Sequence, residues 1–224
     1  MNNEQAVSPT IPRSDAPKAL RVFATVISYV CHPVFVPLVM AIVLMKLSPE
    51  SFSGVSAKQR GEWLLSIGFT TLFFPLFSVA LMKPLGFISS FKMPTTKDRI
   101  IPLITSMIFY FWVYNVFNNV AGVPFIYKTF FLANFIGIIA VFMFNIFTKV
   151  SMHTAGAGTM VGILTVLMLI NPAHMLLPLL VSIVVAAVIG FARLVLGEHT
   201  RGDVWLGYIL GILPQLCVYW YQKP

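Results

Sequence analysis

Charge is scarce in this sequence. Only 10% of its 224 residues are Asp, Glu, Lys or Arg, and 58% are hydrophobic. Ordinary soluble domains carry roughly 25% charged residues. The shortage argues against a water-soluble domain, and a mean hydropathy of +0.88 points to a membrane protein. Acid is scarcer than base, with seven Asp and Glu against fifteen Lys and Arg and a net charge of +8. In so apolar a chain this excess reads as cations flanking membrane spans, not as a nucleic-acid surface. Cysteine is nearly absent. Cys31 and Cys217 both lie in apolar runs and read as small apolar fillers, which excludes a disulfide framework or a cysteine metal site. The first 20 residues are polar, rich in Pro and Ser, and lack the apolar core of a secretory signal. They are expected to form a flexible tail (1–20) ahead of a single transmembrane domain (21–224). No internal repeat is visible.

What the chain does have is long apolar runs. A helix needs about 20 apolar residues to cross the hydrocarbon. Seven runs qualify: roughly 22–45, 63–82, 101–117, 129–147, 154–170, 175–194 and 204–221. Continuous runs of this length mean helices, because backbone polar groups must be satisfied within the segment. The expected fold is all-α, a polytopic membrane helical bundle of six to seven transmembrane helices. The lower number applies if the first run, interrupted by His32-Pro33 and Pro37, fails to cross. All seven acidic residues fall outside these runs, which lowers the case for an ion-coupled transporter.

Three polar breaks lie two spans apart from one another, so parity puts them on one membrane face. The first is KPLGFISSFKMPTTKDR, in which Lys92 and Arg99 stand seven apart. Alone it reads as a basic loop drawn to anionic headgroups. The second is KVSMH, with Ser151 and His153 at the start of the fifth run. A helix N-terminus there suits phosphate, and Ser151 also suits a plain N-cap. The third is ARLVLGEHTRGD, with Arg193, His199 and Asp203. If the last helix starts near Thr200, His199 and Asp203 lie about one turn apart. Asp203 would then accept the imidazole Nδ1–H and leave Nε2 free to attack an electrophile. Glu198 and Arg201 read as solvated loop residues, and His32 as a cap for backbone groups freed by the adjacent proline.

Together the breaks supply two histidines, an orienting carboxylate, three cations and a helix N-terminus. That set fits phosphoryl transfer through a phosphohistidine: one His attacks phosphorus, another protonates the leaving oxygen, and cations hold the developing charge. It demands no metal or other cofactor, and no tight ligand spacing such as HExxH is present.

At these residues the sequence resembles the type 2 phosphatidic acid phosphatase superfamily, the lipid phosphate phosphatases, whose pattern is K-x6-RP, PSGH and SR-x5-H-x3-D. KMPTTKDRI carries Lys92 and Arg99, VSMH carries Ser151 and His153, and ARLVLGEHTRGD carries Arg193, His199 and Asp203. The resemblance covers about Lys92 to the end. It implies His199 as nucleophile, Asp203 as its orienting partner and His153 as general acid. It also implies Lys92, Arg99, Ser151 and Arg193 as phosphate ligands, with no metal required. Departures are Ile100 for the motif proline, Val150 and Met152 for the Pro and Gly of PSGH, and Ala192 for the serine before Arg193. They mark a divergent branch and bear on substrate range and rate more than on reaction type.

The reading is therefore a metal-independent phosphatase embedded in the membrane. Its partner would be a phosphorylated lipid such as an isoprenoid pyrophosphate, phosphatidic acid, phosphatidylglycerol phosphate or lipid A. Its expected place is a bacterial cytoplasmic membrane. Two alternatives stand: a lipid phosphotransferase using the same site, and a non-catalytic phospholipid-binding or transport protein. The side is open too. Seven spans put ten Lys and Arg on the motif face against five opposite, which leans cytoplasmic, whereas the resembled family works on the outer face.

Overall fold

The computed structural model describes residues 16–223. Residues 1–15 of the expected tail lie outside that range, but residues 18–20 open the first helix. They are helical because Leu20, with Ala16 and Ile27, packs on Ala192, Val195 and Leu196. Nine α-helices follow among the described residues: α1 (Lys18–Val30), α2 (Val36–Leu47), α3 (Ala57–Gly68), α4 (Phe74–Met82), α5 (Ile100–Asn119), α6 (Phe125–Asn145), α7 (Met152–Ile170), α8 (Leu176–Val195) and α9 (Arg201–Gln222). They make seven spans long and apolar enough to cross a membrane, with α1–α2 and α3–α4 each forming one. The all-α polytopic bundle is as the sequence predicts.

The two compound spans are interrupted for a local reason. Proline has no backbone N–H and clashes with the preceding turn. At Pro33 the chain makes a short 3-10 turn, and His32 caps it by accepting the Val34 N–H on Nδ1 at 3.3 Å. Ahead of Pro75 the second span widens into a π-helical turn over Phe69–Phe73.

The first segment runs from one end of the bundle to the other. Near one end Ser28 meets His153 and Arg193, at the start of α7 and near the end of α8. Past its other end Glu50 accepts from Asn171, after the last turn of α7. Between them the Ala41 carbonyl accepts from the Tyr127 hydroxyl. α1 therefore lies at the motif end of the seven-span bundle. The end opposite the motifs is closed by an aromatic core in which Phe52, Trp63, Phe117 and Phe131 surround Tyr127.

The closest helix pair is α7 with α9. Lipid tails give helices no hydrophobic reason to associate, so small residues that allow close approach carry the contact. Gly158 and Gly162 on α7 face α9, and Gly207 and Gly211 on α9 face α7. A Cβ on Gly207 would meet the Thr154 hydroxyl and sit 2.7 Å from the Ser151 carbonyl oxygen. One on Gly211 would meet the Ala155 carbonyl and sit 2.6 Å from the Thr159 nitrogen. The outer faces remain apolar and open to lipid, as with Leu177, Val184 and Phe191 on α8.

Candidate active site

The three polar breaks converge around one cavity of about 910 Å³. Its polar end is lined by Lys92, Arg99, His153, Arg193, Glu198 and His199. Its apolar part is lined by Val36, Leu76, Val79, Leu103, Ile138 and Val141, among others.

His199 is placed by the turn between α8 and α9. Gly197 ends α8 with φ +65, a left-handed conformation that glycine adopts without strain, and the chain reverses there. Thr200 then N-caps α9, and Asp203 completes a capping box by accepting the Thr200 N–H at 2.8 Å. His199 is only 4% exposed. Its Nδ1 lies 3.1 Å from the Lys149 carbonyl oxygen, which can only accept, so Nδ1 carries the proton. Nε2 is left without a hydrogen-bond partner among the described residues. Burial first, then Arg99, Arg193 and Lys149, push the imidazole down to about 3, so it stands neutral.

This corrects the expected Asp203 contact. Its Oδ2 lies 4.0 Å from His199 Nδ1, beyond hydrogen-bond reach. Asp203 is occupied by the Thr200 N–H and by the Thr148 hydroxyl at 3.0 Å. It braces the two backbone segments that flank His199, and a backbone carbonyl makes the direct contact instead.

Ser151 N-caps α7, accepting the Thr154 N–H at 3.5 Å, and is fully buried. It does not line the cavity, so the capping alternative describes its side chain. His153, in the first turn of α7, lines the cavity. Its Nε2 donates to the Ser28 carbonyl oxygen at 3.0 Å, which leaves Nδ1 unpartnered among the described residues.

The cations differ in how firmly they are held. Arg99 is buried and gives Nε to the Met93 carbonyl at 3.2 Å and Nη1 to the Val150 carbonyl at 2.8 Å. Asp98 folds the preceding loop by accepting from the backbone N–H groups of Ser89 and Thr95. Asn145 ties the loop to α6 through the Thr96 carbonyl. Lys92 is exposed at the rim, and its side chain makes no hydrogen bond or ion pair among the described residues. Lys149 is pushed below its ordinary value by burial first and by Arg99 second.

Arg193 is buried at the centre. Its Nη1 donates to the Ser28 hydroxyl at 2.9 Å, its Nη2 pairs with the Glu198 carboxylate, and its Nε has no partner among the described residues. Glu198 is thus an ion-pair partner at the cavity, not a purely solvated loop residue. His32 caps as expected, but its ring also stands edge-on to His153 at 5.3 Å and lines the same cavity. Sequence reasoning missed Ser28, and the only available signal was that Arg21, Thr25 and Ser28 on α1, and His32 just after it, recur at helical spacing. Cys31 and Cys217 are free thiols, and Cys217 is exposed, so it is not a core filler.

The family model of the PAP2 superfamily matches residues 63–224. The chain belongs to the PAP2 superfamily. No curated protein and no solved structure matches the chain. PAP2 membership and seven apolar helices make this an integral membrane protein of phosphatase-type fold. The match begins in α3, earlier than the motif resemblance from Lys92 implies, and leaves α1 and α2 outside the PAP2 region.

Proposed function

We propose that this PAP2 protein hydrolyses a phosphate monoester or pyrophosphate ester of a lipid through a phosphohistidine on His199. The observation that carries the reading is the His199 ring itself: neutral, fixed as the Nδ1–H tautomer, with Nε2 unpartnered on a cavity that is cationic at one end and apolar along the rest.

In this mechanism Nε2 of His199 attacks phosphorus, and the bond from phosphorus to the lipid oxygen breaks. His153 keeps Nε2–H on the Ser28 carbonyl, takes on Nδ1 the proton carried by the incoming phosphate ester, and gives it to that leaving oxygen. Water then attacks the phosphohistidine, His153 takes a proton from it, and inorganic phosphate leaves with His199 restored. Arg99, Arg193 and Lys92 neutralise the charge gathered on the phosphoryl oxygens. The unpaired buried Nε of Arg193 supports an anion binding there. The apolar lining suits acyl or isoprenoid tails, with isoprenoid pyrophosphate, phosphatidic acid, phosphatidylglycerol phosphate and lipid A as the substrates to compare. A bacterial cytoplasmic membrane is the proposed location.

Purified protein in detergent should release phosphate from at least one of these lipids with EDTA present. Labelling with ³²P-substrate should give an acid-labile, base-stable phosphoprotein that His199→Ala abolishes. Full phosphate release by His199→Ala would end the mechanism. Transfer of the phosphoryl group to an added alcohol in preference to water would favour the phosphotransferase reading.

A further inference from the structure

The PAP2 match starts after α1 and α2, yet α1 lines the candidate site, and its Ser28 touches two of the site's groups. Ser28 donates its hydroxyl to the Ala24 carbonyl at 2.9 Å, so that oxygen meets Arg193 Nη1 as an acceptor. The Ser28 carbonyl, one bond network away, accepts from His153 Nε2 at 3.0 Å. One turn further, His32 spends Nδ1 on the Val34 N–H, which makes Nε2 its protonated nitrogen, and sets its ring edge-on to His153. Mid-helix serine commonly bonds back to the fourth preceding carbonyl and does nothing else. Here the same hydroxyl also receives a buried guanidinium. A buried arginine whose fork is fixed loses less freedom when it grips an anion, and an imidazole fixed in one tautomer presents one defined nitrogen.

We infer that the first span is a working part of this site: Ser28 is a positioning residue for both Arg193 and His153, and His32 is a second positioning residue for His153. The inference rests on the phosphoryl-transfer reading and adds a part of the chain that the PAP2 match does not include. It separates two effects. The Ser28 hydroxyl acts on the anion through Arg193, so its loss falls on binding. The His32 ring acts on the leaving-group side through His153, so its loss falls on turnover.

The test uses the full chain in detergent, with release of phosphate from short-chain phosphatidic acid and farnesyl pyrophosphate, and calorimetric binding of orthovanadate. Ser28→Ala should raise KM and weaken vanadate binding about five- to ten-fold with kcat within about two-fold, and Ser28→Thr, which keeps the hydroxyl, should restore both. His32→Asn keeps an acceptor for the Val34 N–H but removes the ring, and should lower kcat about ten-fold at unchanged KM. If the wild type turns over these lipids and both variants match it within two-fold, the inference falls while the function stands, whereas vanadate binding without turnover would overturn the function in favour of the non-catalytic reading. Full activity in His32→Asn with a defective Ser28→Ala would strike out His32 alone. A wild type that neither hydrolyses these lipids nor binds vanadate would overturn the phosphatase reading and this inference together. Where Ser28→Ala fails to fold, vanadate binding and turnover of Ser28→Thr and Ser28→Cys decide the point.

Discussion

The two histidines of the cavity are held by the same device in different settings. Each gives one ring N–H to a backbone carbonyl and leaves the other nitrogen free. For His199 the carbonyl belongs to Lys149, and the bracing comes from the Thr200–Asp203 capping box, all within the PAP2 match. For His153 the carbonyl belongs to Ser28 on α1, which lies outside it and packs mainly on α8. A carbonyl fixes a tautomer as well as a carboxylate does, without adding a charge. The difference is mechanical: the His199 side is built into the glycine-tight core, while the His153 side depends on where one peripheral helix lies.

The sharpest way to break the comparison is to remove each ring. His199→Ala should lose activity by at least about 10³-fold on every substrate, because no phosphoenzyme forms. His153→Ala should lose about 10²-fold or more on a lipid ester, since general acid catalysis is worth that much. On p-nitrophenyl phosphate, whose leaving group needs no proton, the His153→Ala loss should shrink while the His199→Ala loss should not. Equal losses on both substrates would remove the distinction of roles.

Arg193 stands between the two sides, so Glu198 comes next. Glu198→Gln removes the carboxylate that pairs with Arg193 Nη2. Inhibition by inorganic phosphate should then tighten about three-fold, within the range set by a partly exposed ion pair. Weaker inhibition would show that the carboxylate supports the site. Thr200→Ala removes the α9 cap and should cost about 1 kcal/mol of stability. It should lower kcat through His199 and leave vanadate binding little changed.

The smallest expected effect is the absence of a titration. The His199 ring is pushed to about 3 from 6.5. In ¹⁵N-histidine NMR, the signals missing from His199→Ala should therefore not move between pH 8 and pH 5. The sign for stability follows. Between those two values the unfolded chain binds the extra proton, so stability falls as pH drops from 6.5 towards 3. A midpoint near 6.5 for this ring would contradict the burial and the surrounding cations.

Much of this was legible in the sequence because apolar composition leaves the backbone little choice. The seven runs match the observed spans to within a few residues, with the largest shift at Ala57, where polar residues extend the helix past the apolar run. Lys92, Arg99, His153, Arg193 and His199 sit at one cavity because their spacing from the span ends puts them on one face. The parts that were not legible share a cause. The Lys149 and Ser28 carbonyls are main-chain atoms and leave no mark in residue type. Asp203 keeps the spacing of a partner for His199 yet is used as a cap, since a carboxylate at the third helical position bonds most readily to its own cap. Ser28 and His32 meet α7 and α8 through packing between helices far apart in the chain, which no local period encodes.

The glycine-lined face between α7 and α9 has one further consequence. It joins two helix starts so closely that the Ser151 N–H donates to the Asp203 carbonyl at 3.3 Å. His153 rides on the first turn of one helix and His199 on the residue just before the cap of the other. The gap between the rings is therefore gauged by a helix-to-helix seam and not by a loop, as the jaws of a fixed caliper are set by its beam. Such a gauge fixes the two rings at one spacing and one depth along the helices.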